Sequence, residues 1–204
     1  MRKPPAKFPP VAQTASRSAA NCVRIIAGRW RGRKITFPDV VGLRPTGDRI
    51  RETLFNWLMP VLPGAHCLDL FAGSGVLGFE ALSRGARACV LVESNPVVAR
   101  HLQTTAQSLE ATDALVACAD ARTALQRVSG TFNIVFIDPP FADKSIDATG
   151  LVAELLAQQR LAENAWVYVE QPCSDVAPMF PGFTQHRAQR AGSVAFGLWC
   201  RNGK

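Results

Sequence analysis

No stretch of this 204-residue chain approaches the ~20 consecutive apolar residues that a membrane-spanning helix needs, because Asp, Gly or Arg interrupts every apolar run. Met1 to Pro10 carries Arg2, Lys3 and Lys7 among four prolines, with no apolar segment behind them. That is not the pattern of a secretory signal, and the expected compartment is the cytoplasm, away from any membrane. The six cysteines (Cys22, Cys67, Cys89, Cys118, Cys173, Cys200) form no CxxC pair and have no His-rich segment to complete a zinc site. No metal is expected, and most of the cysteines should be small buried hydrophobes. His66, His101 and His186 lack an Asp or nucleophile partner and receive no catalytic role. Acidic residues are scarce at one end: residues 1–51 hold only Asp39 and Asp48 against 12 Lys and Arg, a net +10, whereas the remainder carries −3. An arm so charged is a common footprint of phosphate neutralisation, with a solvated tail as the alternative.

What is present fits one α/β unit, since a chain of this length buries roughly 70% of its unfolded surface. Residues 1–21, rich in Pro, Ala and Ser, read as a flexible basic tail. Residues 22–60 read as an extension. Val23 to Ile26 and Lys34 to Phe37 form a β-hairpin whose turn, Arg29-Trp30-Arg31-Gly32-Arg33, interleaves cations with an aromatic ring. A helix follows, with Thr46 as its N-cap and Ile50, Leu54, Trp57 and Leu58 on one face. From residue 61 to 204, short apolar runs alternate with amphipathic segments. Strands are expected at Cys67–Leu70, Cys89–Val92, Leu115–Cys118, Asn133–Ile137 and Ala165–Val169, and a closing hairpin at Phe183–Arg187 and Ser193–Trp199. This alternation implies a Rossmann-like, mostly parallel sheet covered on both faces.

Chemistry concentrates at two strand ends. The segment Asp69-Leu70-Phe71-Ala72-Gly73-Ser74-Gly75-Val76-Leu77-Gly78 gives a strand, a G-x-G-x-x-G turn and a helix. Its glycines allow close backbone approach to a ligand. Such a turn alone suits NAD, FAD or S-adenosylmethionine. Asp69 discriminates, because a carboxylate there repels a pyrophosphate yet suits the ammonium and sulfonium charges of S-adenosylmethionine, whose product is S-adenosylhomocysteine. Phe71, Gly73, Ser74, Gly75 and Gly78 line this expected site. Glu93, ending the next strand, can accept from ribose hydroxyls. Asp120 can meet the adenine amino group or cap a helix, and Glu80 either faces the donor's amino group indirectly or balances a helix N-terminus.

The second site is Asp138-Pro139-Pro140-Phe141, after the fourth strand. The prolines make a rigid turn without N–H donors, so its carbonyls only accept. A base amine is a poor nucleophile because its lone pair is delocalised. A carboxylate and a carbonyl accepting its two hydrogens steer it toward tetrahedral geometry, and Phe141 can stack on the base, which must be unpaired or flipped out. Rival readings remain open at this point: methylation of an adenine N6 or cytosine N4 amine in DNA, a C5-cytosine enzyme using Cys173, a protein glutamine methyltransferase, and a non-catalytic RNA-binding domain.

With these residues laid out, the chain resembles the bacterial RsmD family of 16S ribosomal RNA guanine-N2 methyltransferases. The resemblance rests on Arg24-Ile25-Ile26-Ala27-Gly28, on Arg44-Pro45-Thr46 with Asp48-Arg49 and Arg51 to Asn56, on Asp69 to Gly85, and on Asp138 to Phe141. It implies a seven-stranded sheet of order 3-2-1-4-5-7-6 with the last strand antiparallel, and a hairpin and helix beside the active-site mouth. It also implies methylation of a guanine amine of 16S RNA in the small ribosomal subunit; the expected partner is that subunit or its assembly intermediate, and the expected state is a monomer. Arg24, Arg29, Arg31, Arg33, Lys34, Arg44, Arg49 and Arg51 are the expected RNA contacts.

Overall fold

A computed structural model describes residues 21–40, 43, 45–143 and 145–203. The tail of residues 1–20 and Arg44 lie outside the described residues, and so do the expectations placed on them. The chain runs β1 (Asn21–Arg24), β2 (Lys34–Phe37), α1 (Asp48–Leu58), β3 (His66–Asp69), α2 (Val76–Ser83), β4 (Ala88–Glu93), α3 (Pro96–Ser108), β5 (Ala114–Cys118), α4 (Ala121–Arg127), β6 (Phe132–Ile137), α5 (Ala148–Ala157), β7 (Leu161–Pro172), β8 (Phe183–Ala191) and β9 (Val194–Arg201). β3 to β9 form one sheet ordered β5-β4-β3-β6-β7-β9-β8, which is the expected 3-2-1-4-5-7-6. β9 runs antiparallel to β7.

Composition explains the layering. β6, Phe-Asn-Ile-Val-Phe-Ile, is apolar on both sides because it lies mid-sheet with helices over both faces. One apolar cluster fills each face. The first joins β1, β2, α1 and α2 to the sheet through Val23, Ile25, Trp30, Ile35, Leu54, Phe55 and Phe136. The second packs α4 and α5 through Leu125, Leu151, Val152 and Leu155. Residues 22–60 therefore share a core with the sheet. α3 starts at Asn95, whose side chain accepts from the N–H groups of Val97 and Val98, with Pro96 in the first turn.

Two expectations change here. Thr46 does not cap α1: Gly47 is the N-cap and makes no side-chain cap bond, because the Thr46 hydroxyl is committed elsewhere. Only Cys67 and Cys89 are buried, whereas Cys22 and Cys118 are exposed.

The hairpin is fastened to α2 rather than resting on it. Ser83 accepts at its carbonyl from Arg29 N (2.8 Å) and at its hydroxyl from Trp30 N (3.0 Å), and that hydroxyl donates to the Ala27 carbonyl (2.6 Å). Gly28, at φ +82°, permits this approach, since a Cβ there would stand 1.9 Å from the Ser83 carbonyl oxygen. Ser83 ends the eight-residue α2, about 12 Å along the helix from the glycine turn. The basic tip of the hairpin thus lies at the end of α2 remote from the carboxyl ends of the strands, although the resemblance implied a hairpin beside the mouth.

Candidate active site

The sheet order reverses between β3 and β6, and a crevice at the carboxyl ends of strands forms at such a switch point. Asp69 ends β3 and Asp138 follows β6, so the two glycine-loop and Asp-Pro-Pro-Phe motifs face one another there. Asp69 is 1% exposed. Its Oδ2 accepts from Gly78 N (3.2 Å), while Oδ1 has no hydrogen-bond partner among the described residues. Burial first, then the charge of Asp138, pushes its carboxyl up to about 7. An orphaned buried acceptor of this kind suits a cationic ligand group. The turn beside it is open at Gly73, where a Cβ would meet nothing closer than 3.9 Å. It is closed at Gly75 (φ +79°), where a Cβ would come within 2.5 Å of Leu102.

Glu93 ties this turn to β4, with Oε2 accepting from Gly73 N (3.0 Å) and Oε1 from Asn95 N (2.7 Å). Each carboxylate oxygen retains a second lone pair for a ligand hydroxyl. Phe71 is half-buried, packed against the α4–α5 cluster. The Ser74 hydroxyl turns inward and accepts from Val76 N (3.4 Å). Asp120 caps α4, accepting from Arg122 N (2.9 Å) at one oxygen, the alternative weighed for it.

At the second motif, the Pro140 carbonyl accepts from Asp143 N (2.9 Å). Pro139's carbonyl has no such partner among the described residues and is the free acceptor beside Asp138. Phe141 is 36% exposed and shares a cleft with Val176, which is 92% exposed. A cleft of about 240 Å³ runs between Pro140, Phe141, Gln171 and Val176. Asp138 itself accepts from the Thr46 hydroxyl at Oδ2 (2.8 Å), leaving Oδ1 for a substrate. Burial raises its carboxyl, and the Thr46 bond partly offsets the rise.

Several residues have roles that local pattern does not reveal. Glu80 is fully buried and faces neither the ligand turn nor the start of its helix. It accepts from Ile26 N (2.8 Å), Ala27 N (3.0 Å), Arg84 Nε (2.7 Å) and Arg51 Nη1 (3.3 Å). Arg51, expected to touch RNA, is wholly buried. Its guanidinium is spent on Glu80, on Asp48 Oδ1 (2.6 Å) and on the Thr46 carbonyl (3.1 Å), so it holds α1 in place instead. Tyr168 and Glu170 on β7 are buried at the crevice, with the tyrosine hydroxyl donating to Glu170 Oε1 (2.7 Å). An acid inside an apolar run, as in Phe79-Glu80-Ala81 and Val169-Glu170, was the available signal, since buried carboxylates are rare unless partnered.

The remaining cations are exposed: Arg24, Arg29, Arg31, Arg33, Lys34 and Arg49. Arg24 and Lys34 are directly paired across the hairpin. Arg29 bonds Asp113 (3.4 Å) and lies 4.1 Å over the ring of Trp30. Trp30 is only 8% exposed and is core rather than a stacking platform. Arg33 donates to the Ser108 carbonyl (2.9 Å).

A family model described as Conserved hypothetical protein 95 matches residues 23–200. "Ribosomal RNA small subunit methyltransferase D" of Escherichia coli strain K12 is 44% identical over 188 residues, 92% of this chain and 94% of its own. The protein of the same name from Haemophilus influenzae is 45% identical over 181 residues, 87% and 93% of the two chains. The solved structure of yhhF from Escherichia coli matches with a TM-score of 0.82 at 43% identity, covering 90% of this chain and 100% of that one.

Proposed function

This chain belongs to the RsmD family, described as Conserved hypothetical protein 95, and on that premise we propose that it methylates the exocyclic N2 amine of a guanine in small-subunit ribosomal RNA. It is an RNA methyltransferase, and S-adenosylmethionine is the donor that its residues fit. When bound, that donor supplies an electrophilic methyl carbon on a sulfonium. Asp69 would hold its cationic amino-acid end, Gly73 and the neighbouring turn would pass beside it, and Glu93 would accept from its ribose.

The observation that carries the amine is the pair of acceptors at the end of β6. Among the described residues, Asp138 Oδ1 and the Pro139 carbonyl have no hydrogen-bond partner, on a turn with no N–H donor at either proline. Accepting the two amine hydrogens, they turn the nitrogen lone pair out of the ring plane. Transfer of that methyl, with its bond to sulfur breaking and the electron pair remaining on the neutral thioether product, would leave the nitrogen cationic, and Asp138 is placed to take the proton it sheds. Positioning of this kind supplies about 7 to 11 kcal/mol of a barrier. Phe141 is the stacking surface for the base, a contact of about 1 to 3 kcal/mol. The opposed Arg24 and Lys34 repel each other in the free protein, which favours a polyanionic partner. The reading is completed by a monomer acting in the cytoplasm on the small subunit or its assembly intermediate.

The test incubates the protein and labelled S-adenosylmethionine with small subunits from cells lacking this activity, then maps the modified nucleotide. Label on a guanine N2 is expected, and label on DNA or protein instead would overturn the substrate. Asp138→Ala should lose transfer almost completely while donor binding, followed by calorimetry, persists. Retained transfer would remove Asp138 from the chemistry.

A further inference from the structure

Acidic residues are missing from a second part of the chain. None follows Asp175, so residues 176–204 hold Arg187, Arg190, Arg201 and Lys204 unopposed, a net +4 concealed by the negative average of residues 52–204. Arg201 is committed within the fold, donating to the carbonyls of Leu161 (2.8 Å) and Ala162 (3.0 Å). Arg187 and Arg190 lie on β8, the outer strand of the sheet, where every residue from Thr184 to Arg190 is exposed. Neither makes an ion pair or a side-chain hydrogen bond among the described residues. Charge on an edge strand discourages pairing with other chains, but acids serve that end as well as cations.

The register sets these arginines at the active-site end of the sheet. Ile137 of β6 pairs with Val169 of β7, Gln171 of β7 with Ala195 of β9, and Ala195 with Arg190. Arg190 is therefore level with Pro139, three strand spacings or about 14 Å away. Arg187 is opposite Leu198, which belongs to the α1-side core, whereas Arg190 is opposite Ala195, on the face of Trp199. One cation thus stands on each side of the edge.

Two hollows meet beside them. The cleft at Phe141 and a second hollow of about 250 Å³ at Arg190 share Gln171, Asp175 and Pro178 as walls, so the loop from β7 to β8 is the partition between them. Gln171 steadies that loop, its amide donating to the carbonyls of Asp175 (3.0 Å) and Val176 (3.1 Å). Asp143, Asp147 and Asp175 line the first cleft, which suits a base and repels a phosphate. A nucleotide whose base enters it leaves its phosphates outside, and Arg187 and Arg190 stand beyond the partition.

We propose that the β8 edge is a second RNA-binding surface, on which Arg187 and Arg190 hold backbone phosphates flanking the guanine whose base enters the cleft. The proposal rests on the ribosomal RNA reading above. It adds a cationic contact at the crevice, whereas the hairpin tip lies at the remote end of α2.

The test titrates the protein with a 16S ribosomal RNA transcript at several salt concentrations. Arg187→Gln combined with Arg190→Gln should flatten the salt dependence by about 1.4 to 1.8 log units of slope, for two lost phosphate contacts, and each single change by about half of that. Arg127→Gln, which removes a charge from the last turn of α4, should leave the slope in place. In methyl transfer to small subunits, the double variant should show KM raised at least about threefold with kcat within about twofold, as expected when ground state and transition state lose the same contact. A double-variant slope equal to that of the wild type, or an equal fall in Arg127→Gln, overturns the proposal. So does a wild type that sediments as a dimer with its β8 amides protected from exchange, since the edge would then belong to a second copy of the chain. RNA binding that depends on these arginines, without label on any guanine, supports the surface and overturns only the reading of the reaction.

Discussion

Asp69 Oδ1 is sealed from water without a partner among the described residues, and the free protein should register this as a dependence on pH. Its folded carboxyl is raised to about 7 from an ordinary 3.8. The stability contributed by its protonated form is therefore complete below about pH 4 and lost as pH rises through 7, at up to roughly 1.4 kcal/mol per pH unit. Asp138 and Glu170 shift in the same direction, so the wild-type curve must be compared with that of Asp69→Asn. Denaturation free energies in the variant should decline less over this window, and parallel curves would sink the argument. The placement of Asp69, buried at the end of β3 beside the glycine turn, was legible in the sequence, because a carboxylate ending a strand before a glycine turn has little packing reason to be there. Thr46 was not. A threonine before a helix reads as a cap, and nothing local says that a strand end 92 residues away will take its hydroxyl. Arg51 was misplaced for a related reason. An arginine among basic residues reads as surface, and only the buried Glu80 converts it to core.

At the level of elements, the five parallel strands β3 to β7 and the helix through Ser83 were legible because buried parallel strands carry short apolar runs, and the antiparallel pair β8 and β9 because no helical segment separates its members. Strand limits were less so: β7 spans Leu161–Pro172, well beyond the apolar Ala165–Val169, because its pairing with β9 continues to Pro172. The docking of the hairpin was not legible at all, since it depends on backbone groups meeting Glu80 and Ser83. Gly28→Ala tests it. Added to the left-handed backbone, the collision with Ser83 should cost at least about 2 kcal/mol, or roughly 4 to 8 °C in Tm for a chain of this size. Gly32→Ala is the control, since Gly32 has the same φ of +82° but open space around its Cβ position. Its loss should be confined to backbone strain, about 1 kcal/mol. Equal melting losses would mean that the hairpin is not seated as described.

For the molecule as a whole, the question is how RNA spans it. The cations of the hairpin tip lie at the far end of α2, and on the proposed reading the amine reaches Asp138 at the carboxyl end of β6, so the RNA would follow the flank of the protein. Replacing Arg29, Arg31 and Arg33 together should weaken RNA binding and flatten its salt dependence by about 0.7 to 0.9 log units per lost phosphate contact. The measurement is a titration at several salt concentrations. An unchanged slope would leave Arg29 and Arg33 with their observed protein partners, Asp113 and Ser108, as their whole role. The bonds from Glu80 to Ile26 and Ala27 cross 54 and 53 residues of sequence. At about 5 to 20 residues per second, a ribosome making this chain releases the hairpin motif several seconds before it releases the carboxylate that secures it. Throughout that interval the basic hairpin is a nascent polycation beside ribosomal RNA, and synthesis of α2 is what fixes its backbone to the fold while its cations stay exposed.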